Sequence, residues 1–277
     1  DIYYQRMAEA TTGIVAVFCR AYRRPFVFAL AHNYNCKPDL PALPRRRDKW
    51  LYRYGLRHAD AVISQTRFQQ HMLRKHFDVE SVVIPNCGLD LANAAQEAED
   101  KANQPTKRVL WIGRFSREKR LDILLDVAER CPDVQFDVVG DTDGKQPAMD
   151  ALKAQAQHIS HIRLHGLVPH SKIACFYHKA HLLLCTSDDE GFPNTFIEAW
   201  SCGVPVVTTF DPDGVVARCT AGAVAADASG LVSSMRDLLQ SQHWRESSQR
   251  ARHLFDQHHT IGQVTQHIEQ LILSLAR

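Results

Sequence analysis

The chain has 277 residues, of which 45% are hydrophobic and 23% charged, a balance typical of folded globular proteins. This composition excludes a disordered, collagen-like or disulfide-scaffold protein, and the length predicts about two domains. Lys and Arg number 33 against 31 Asp and Glu, so the formal charge of +2 gives no reason to expect nucleic acid as a partner.

Short apolar runs alternate with helical patterns over residues 1–91. Strands are predicted near 2–4, 25–31, 61–63 and 81–84, with helices near 8–22, 45–58 and 66–76 between them. Continuous apolar runs joined by helices are typical of a parallel sheet that is buried on both faces. We therefore expect a Rossmann-like first domain over 1–91, followed by a polar linker over 92–106.

The same alternation restarts after the linker and predicts a second α/β domain over residues 107–260. Its strands are expected near 108–113, 134–139, 162–164, 182–184 and 206–208. Residues 261–277 form an amphipathic helix that is expected to pack back on the first domain. Two doubly wound parallel-sheet domains that face a cleft are the simplest architecture for this order of elements.

Cysteine usage and hydropathy bear on the environment of the protein. The eight cysteines are scattered, and no two form a C-x-x-C pair, which indicates reduced thiols in a cytoplasmic protein. No apolar stretch approaches the ~18–20 residues that a bilayer-spanning helix needs. The basic and aromatic helix near 45–58 fits either an exposed helix with Trp50, Leu51 and Tyr54 packed inward, or a peripheral contact at the inner face of the membrane.

The most informative segment is S-D-D-E-G-F-P-N-T-F-I-E-A-W, residues 187–200, which follows an apolar strand and opens a helix. Free N–H groups at a helix N-terminus favour anions, and Gly191 leaves room for a ligand. Glu190 and Glu198 are placed to accept hydrogen bonds from the hydroxyls of a polyol. Taken alone, two glutamates eight residues apart also fit a solvated surface.

A second segment, G-R-F-S-R-E-K-R at residues 113–120, begins where another predicted strand ends. Arg114 and Lys119 are suited to a diphosphate, Arg as a planar fork and Lys as a point charge. Taken alone, such a basic loop also fits a solvated turn. Both segments are expected at the carboxyl ends of strands in one domain, which is where open α/β sheets bind ligands.

Taken together, Gly113-Arg114 with Lys119, Glu190-Gly191-Phe192-Pro193 with Glu198, and Ile84-Pro85-Asn86 resemble the retaining glycosyltransferase family 4. The resemblance implies the GT-B fold and transfer of a sugar from a UDP- or GDP-sugar to a hydroxyl of a glycan or lipid-linked glycan. No other cofactor and no metal are implied. A non-catalytic nucleotide-sugar-binding module, or a GT-B epimerase or phosphorylase, stays open as an alternative.

The resemblance also implies roles for individual residues. Arg114 and Lys119 match the residues that bind the donor diphosphate, and Glu190 and His32 match positions near the transferred sugar. The implied donor-binding residues are Gly113, Gly191, Phe192, Pro193, Asn194, Thr195 and Glu198, with Glu198 on the ribose and Val168 near the base. His32 also fits a plain loop histidine.

The sequence departs from the family in two places. Nothing in it resembles the opening strands and Gly-rich loop of family members, so the first domain is expected to be incomplete. The motif reads Glu-Gly-Phe-Pro where Glu-Gly-Phe-Gly is common. Asp141-Thr142-Asp143-Gly144 is expected to be a polar turn, because it lacks the other ligands of a calcium loop.

Overall fold

The computed structural model of the chain describes residues 1–92, 101–142 and 147–275. Most of the predicted linker, residues 93–100, lies outside the described residues, as do residues 143–146 of the expected polar turn. The described residues fall into two compact units. The first comprises Asp1–Cys87, Glu190–Phe192 and the C-terminal segment from Ile261, and the second comprises the residues from Gly88 to Asp189 and Pro193–Thr260.

Strands and helices alternate along the N-terminal part of the first unit. They are β1 (Tyr3–Arg6), α1 (Thr11–Ala21), β2 (Phe26–Ala29), α2 (Arg46–Arg57), β3 (Ala61–Ser64), α3 (Arg67–Phe77) and β4 (Val82–Val83). The four strands form a parallel sheet in the order β1-β2-β3-β4. The register pairs Val27 with Tyr4 on one side and with Ala61 on the other.

The remaining elements follow in chain order. They are β5 (Lys107–Ile112), α4 (Leu121–Glu129), β6 (Val134–Val139), α5 (Pro147–Gln157), β7 (Ile162–Gly166), α6 (Ala174–Lys179), β8 (Leu182–Cys185), α7 (Asn194–Ser201), β9 (Val206–Thr208), α8 (Val215–Arg218), β10 (Gly222–Val224), α9 (Ala228–Leu238), α10 (Ser241–His258) and α11 (Ile261–Leu275).

Both faces of the first sheet are covered. Successive side chains of a strand point to opposite faces, and the alternation along β2 separates two apolar clusters. Phe26 and Phe28 pack with residues of α1, α2 and α3 on one face. Val27 and Ala29 pack on the other face with Val264 of α11. The doubly covered sheet explains why β2 reads as an unbroken apolar run.

The second unit contains a six-stranded parallel sheet in the order β10-β9-β8-β5-β6-β7. Its largest apolar cluster joins β5, β6 and β8 to α4 and α9, and includes the buried Trp111 and Phe136. The chain runs from β5 outward to β7 and then crosses to β8 on the other side of β5. The chain thus winds in one direction from β5 to β7 and in the other from β8 to β10. The topological switch point of the sheet lies between β5 and β8, at the carboxyl ends of these strands.

The fold class predicted from the sequence, an α/β chain with two parallel-sheet units, is confirmed. Prediction and structure differ at Trp50 on α2. One of the two interpretations of this helix packed Trp50 inward, but the residue is 63% exposed and stacks on Tyr54 at a ring-centroid distance of 5.7 Å. Among the described helices, none combines the length and the apolar character needed to cross a bilayer.

Candidate active site

The loop after β5 lies at the switch point of the second unit and carries Arg114 and Lys119. Arg114 is exposed and Lys119 is half-buried. The carbonyl oxygen of Lys119 accepts a 2.6 Å hydrogen bond from the Thr186 hydroxyl, and the carbonyl oxygen of Glu118 accepts one of 2.9 Å from the Asp188 N–H. The loops that follow β5 and β8 are thereby tied to each other.

Arg120, the next residue, serves a structural purpose in the same loop. Its guanidinium binds Asp122 at 2.9 Å and Asp188 at 3.0 Å. The hydrogen bond to Asp122, followed by that to Asp188, raises the pKa of Arg120, and the bond from Arg120 lowers the pKa of Asp122. Arg120 therefore fastens the end of this loop to Asp188. Arg114 and Lys119 lie before it in the loop.

Helix α7 starts directly after the loop that follows β8. Pro193 caps it in an extended conformation, and the helix begins at Asn194. A proline at this place removes no helical hydrogen bond, because the first N–H groups of a helix have no partner within it. Those N–H groups make the start of α7 an electropositive end at the switch point.

Glu198 lies on α7, with 17% of its side chain exposed. Its Oε2 accepts a 2.6 Å hydrogen bond from the Tyr177 hydroxyl, and its Oε1 lies 3.9 Å from Nδ1 of His170. Burial raises the pKa of Glu198, while the hydrogen bond from Tyr177 opposes that shift. The carboxylate thus has one oxygen held by the protein and the other beside an exposed imidazole.

The loop after β7 contributes Val168, which is half-buried, next to Leu167, which is 78% exposed. The Gly140 N–H donates to the Gly166 carbonyl at 2.9 Å, and the Phe115 N–H donates to the Asp141 carbonyl at 3.0 Å. These backbone bonds connect the loops after β5, β6 and β7. The carboxyl ends of parallel strands share one edge of the sheet, so these loops lie on the same side as the loop after β8.

The Glu190–Phe192 tripeptide is grouped with the first unit and is held there by amide side chains. The Phe192 N–H donates to Oε1 of Gln65 at 3.2 Å, and its carbonyl accepts a 3.2 Å bond from Nδ2 of Asn86. A Cβ on Gly191 would lie 2.5 Å from Gln65 Oε1 and 2.7 Å from the Ala31 carbonyl oxygen. Only glycine fits this position without displacing its neighbours.

His32 follows β2 in the first unit and starts a short 3₁₀ turn, Asn33–Cys36. Its Nδ1 accepts a hydrogen bond from the Tyr34 N–H at 3.2 Å, and its backbone N–H donates to Oδ1 of Asn35 at 3.1 Å. A ring nitrogen that accepts a backbone N–H is unprotonated at that position, which leaves the proton of a neutral imidazole on Nε2.

The structure therefore brings the predicted residues together in two sets. One set lies at the carboxyl edge of the second sheet and consists of Gly113, Arg114, Lys119, Val168, Pro193, Asn194, Thr195 and Glu198. The other set lies in the first unit and consists of His32, Glu190, Gly191 and Phe192. The ligand-binding and catalytic roles of all of them stay predictions.

Sequence reasoning missed three residues around these sets: Tyr177, His170 and Gln65. Gln65 carried a weak signal, since it closely follows the predicted strand 61–63 and has Gln69 one helical turn later, although its contacts could not be read from that. Tyr177 and His170 carried none, because they lie 21 and 28 residues before Glu198 on separate elements. Only the packing of α6 against α7 brings the Tyr177 hydroxyl to the carboxylate.

Signals that the sequence analysis set aside have ordinary partners. Asp141 forms an ion pair with Lys153, which lowers the pKa of this aspartate, and Thr142 donates to Asp150 at 2.6 Å. In the described ranges, no three His, Cys, Asp or Glu side chains are placed to share a metal ion.

Comparison with known proteins relates the second unit to sugar-transferring enzymes. Residues 106–241 match the model of the family described as glycosyl transferases group 1. The chain is 33% identical over 107 residues to 2-deoxystreptamine N-acetyl-D-glucosaminyltransferase of Niallia circulans, which covers 37% of this chain and 27% of that protein. It is 31% identical over 191 residues to D-inositol 3-phosphate glycosyltransferase of Mycobacterium sp. (strain JLS), or 65% of this chain and 42% of that protein. The chain spans less than half the length of these curated relatives.

Solved structures extend the likeness to both units. Sucrose-phosphate synthase from Thermosynechococcus elongatus has a TM-score of 0.81 at 19% identity, covering 98% of this chain and 73% of that chain. HepE of Anabaena in complex with UDP and glucose has a TM-score of 0.79 at 19% identity, covering 98% and 77%. At such identity the likeness establishes the fold and no more. Residues 106–241 are thus similar in sequence to group 1 glycosyl transferases, and both units are similar in fold to these solved structures.

Proposed function

We propose that the protein is a retaining glycosyltransferase of family 4 that moves a sugar from a nucleotide diphosphate to a hydroxyl of a glycan or lipid-linked glycan. The observation that carries the proposal is the placement of two loops at the switch point between β5 and β8. The basic loop follows β5, the loop that leads to the N-terminus of α7 follows β8, and a hydrogen bond from Thr186 to the Lys119 carbonyl joins them. The switch point is the place where open α/β sheets bind ligands. The complex of HepE with UDP and glucose favours UDP as the nucleotide.

The diphosphate is proposed to bind Arg114, Lys119 and the first N–H groups of α7 over Asn194 and Thr195. Negative charge grows on the leaving diphosphate as the glycosidic bond breaks, so fixed positive groups stabilise the transition state more than the ground state. Gly113 and Pro193 shape the backbone around these groups. In this proposal Arg114 and Lys119, and not a metal ion, neutralise the negative charge of the leaving diphosphate.

Glu198 is proposed to accept hydrogen bonds from the ribose hydroxyls, and Val168 to face the base. For Glu190, Gly191, Phe192 and His32 of the first unit, we propose a role with the transferred sugar. That part rests on the resemblance and on the amide contacts of Gln65 and Asn86 that hold the tripeptide backbone.

Calorimetric titration of the chain with UDP, GDP and ADP tests the proposal. We expect one nucleotide to bind, and Arg114→Ala and Glu198→Ala each to weaken it about tenfold or more, since hydrogen bonds to charged groups contribute about 1.5–3 kcal/mol. Arg163→Ala and Glu129→Ala are matched controls, because Arg163 lies near the start of β7 and Glu129 is the last residue of α4, both away from the loops that follow the strands. Equal binding by all variants would contradict the donor-site assignment.

Product analysis separates the alternatives once binding is found. A transferase releases nucleotide diphosphate only when a hydroxyl acceptor or water receives the sugar, whereas an epimerase converts the donor without any acceptor. A chain that binds the nucleotide and changes no donor would favour a binding module. Because the chain spans less than half of its curated relatives, the acceptor remains part of the proposal.

We also propose a peripheral contact with an anionic membrane through α2. The supporting observation is the exposed Trp50, which stacks on Tyr54 and lies one turn after the exposed Arg46 and Arg47. An interfacial helix combines an aromatic anchor with arginines that attract anionic headgroups. A lipid-linked acceptor would be reached most directly from such a position.

A further inference from the structure

Tyr177 is a buried hydroxyl group for which the proposed chemistry has no assigned use. The side chain lies on α6 and is fully buried. Its hydroxyl donates to Oε2 of Glu198 at 2.6 Å and lies 3.5 Å from the carbonyl oxygen of Thr195. A separation of 2.6 Å is typical of a hydrogen bond from a hydroxyl to a carboxylate, and this type is stronger than a bond between neutral groups.

The hydrogen bond from Tyr177 gives the two carboxylate oxygens of Glu198 different surroundings. Oε2 is directed into the protein by Tyr177, while Oε1 lies on the side of His170, whose side chain is 69% exposed. Burial raises the pKa of Tyr177 well above its ordinary value, so the phenol stays protonated and acts as a donor. A permanent donor on Oε2 restricts rotation of the carboxylate and keeps Oε1 toward the ligand side.

The pair is poorly explained as a device for stability. The Glu198 side chain is only 17% exposed, so its carboxylate has lost much of its hydration, and a single neutral donor replaces only part of it. Burial is the largest cause of the raised pKa of Glu198, which is a second sign that the carboxylate is incompletely compensated for its lost hydration. Well-packed apolar side chains at both positions would join α6 to α7 without that cost.

We propose that Tyr177 is a positioning residue for nucleotide recognition, which holds Glu198 so that Oε1 accepts hydrogen bonds from the vicinal hydroxyls of the ribose. This inference rests on the proposed function of Glu198. Its consequence is that Tyr177, without touching the ligand, sets how strongly the site distinguishes a ribose from a deoxyribose. Loss of the phenol oxygen frees the carboxylate to rotate and weakens recognition of the diol.

The test compares UDP with 2′-deoxy-UDP and 3′-deoxy-UDP by calorimetric titration of the wild type, Tyr177→Phe, Glu198→Gln and the double variant. We expect Tyr177→Phe to weaken UDP binding about three- to tenfold, the range of one net hydrogen bond, and to leave binding of the deoxy analogues nearly unchanged. In the Glu198→Gln background, Tyr177→Phe should have no further effect. Such non-additivity is the mark of residues that act as one unit.

Tyr52→Phe is the matched control for a merely structural role. Its hydroxyl is also fully buried and donates to the Asn35 carbonyl at 2.8 Å in the first unit. If Tyr177→Phe only lowers the thermal midpoint, as Tyr52→Phe should, and leaves the ratio of UDP to deoxy-UDP affinity unchanged, the inference is overturned. If Glu198→Gln also leaves UDP binding unchanged, the proposed function of Glu198 fails as well, and the two failures are thereby distinguished.

Discussion

At the scale of single residues, the tightest constraint in the second unit is at Gly140, directly after β6. Its φ of +138° lies in a region that residues with a side chain rarely adopt, and a Cβ there would lie 1.8 Å from the Gly113 carbonyl oxygen. Gly113 leads into Arg114, so the carboxyl ends of β5 and β6 meet at the backbone that carries the candidate diphosphate site. The conformation of Gly140 is thus fixed by packing at this edge.

We expect Gly140→Ala to destabilise the protein by roughly 1–3 kcal/mol from backbone strain, and by more if Gly113 cannot move. Thermal unfolding followed by circular dichroism would measure the shift in midpoint. Gly262→Ala is the control, because nothing lies within 4 Å of its Cβ and alanine favours the helix. A midpoint for Gly140→Ala that matches the control would show that the loop accommodates a side chain.

At the scale of elements, His181 connects the parts that surround β8. Its Nδ1 accepts the Arg108 N–H of β5 at 3.1 Å, and its Nε2 contacts the Lys101 carbonyl at 2.8 Å. Its own carbonyl accepts a 2.8 Å bond from the Trp244 indole of α10. Burial lowers the pKa of His181 to about 4, with the cations Lys107, Lys101 and Arg108 adding to the effect.

This depressed pKa predicts a loss of stability in acid. Above the unfolded pKa of about 6.5 the histidine is neutral in both states and stability is independent of its titration. Between pH 6.5 and about 4 the unfolded chain binds a proton that the folded chain does not, so the free energy of unfolding falls, by about 3 kcal/mol in total.

Urea unfolding between pH 7 and 4.5 would measure that slope for the wild type and for His181→Asn. The Oδ1 of an asparagine can replace Nδ1 as the acceptor for the Arg108 N–H, and the amide cannot bind a proton. The free energy of unfolding of His181→Asn should therefore depend less steeply on pH, by up to one proton. His243→Asn, at an exposed position, controls for the loss of a histidine from the unfolded chain. Parallel curves for wild type and His181→Asn would refute the assignment.

At the scale of the whole molecule, charge is divided unevenly along the chain. Residues 1–87 carry 14 Lys and Arg against 7 Asp and Glu, whereas the rest carries 19 against 24. The near-neutral total therefore conceals a basic N-terminal part and an acidic remainder. The basic surplus includes Arg46 and Arg47 beside the exposed Trp50, which favours contact of α2 with an anionic surface.

We expect the protein to sediment with phosphatidylcholine vesicles that contain phosphatidylglycerol and not with phosphatidylcholine alone. Replacing Arg46 and Arg47 together by alanine should lower binding roughly tenfold or more, because each juxtamembrane arginine contributes about 1 kcal/mol. Trp50→Ala should weaken binding too, whereas Phe68→Ala, an exposed aromatic on α3, should not. Equal loss at Phe68 would indicate nonspecific adhesion, and no binding by the wild type would exclude the contact.

The sequence by itself determined the fold class and the order of strands and helices. Residues buried on both faces of a parallel sheet must be apolar in unbroken runs, and β2 and β8 are therefore recognisable from local pattern alone. The same holds for the two candidate segments, since a basic loop and a Gly-Phe-Pro helix entry each follow such a run. Local chemistry and chain order were enough to locate them.

Tertiary structure alone decided which side chains support those segments. Periodicity carries no information about contacts between distant elements, so the bond from Tyr177 to Glu198 and the amide contacts of Gln65 and Asn86 with Phe192 were invisible in the sequence. The exposure of Trp50 was decided in the same way, by which face of α2 packs on its neighbours. Long-range packing has no local signature, because it depends on the relative placement of elements and not on the residues within one.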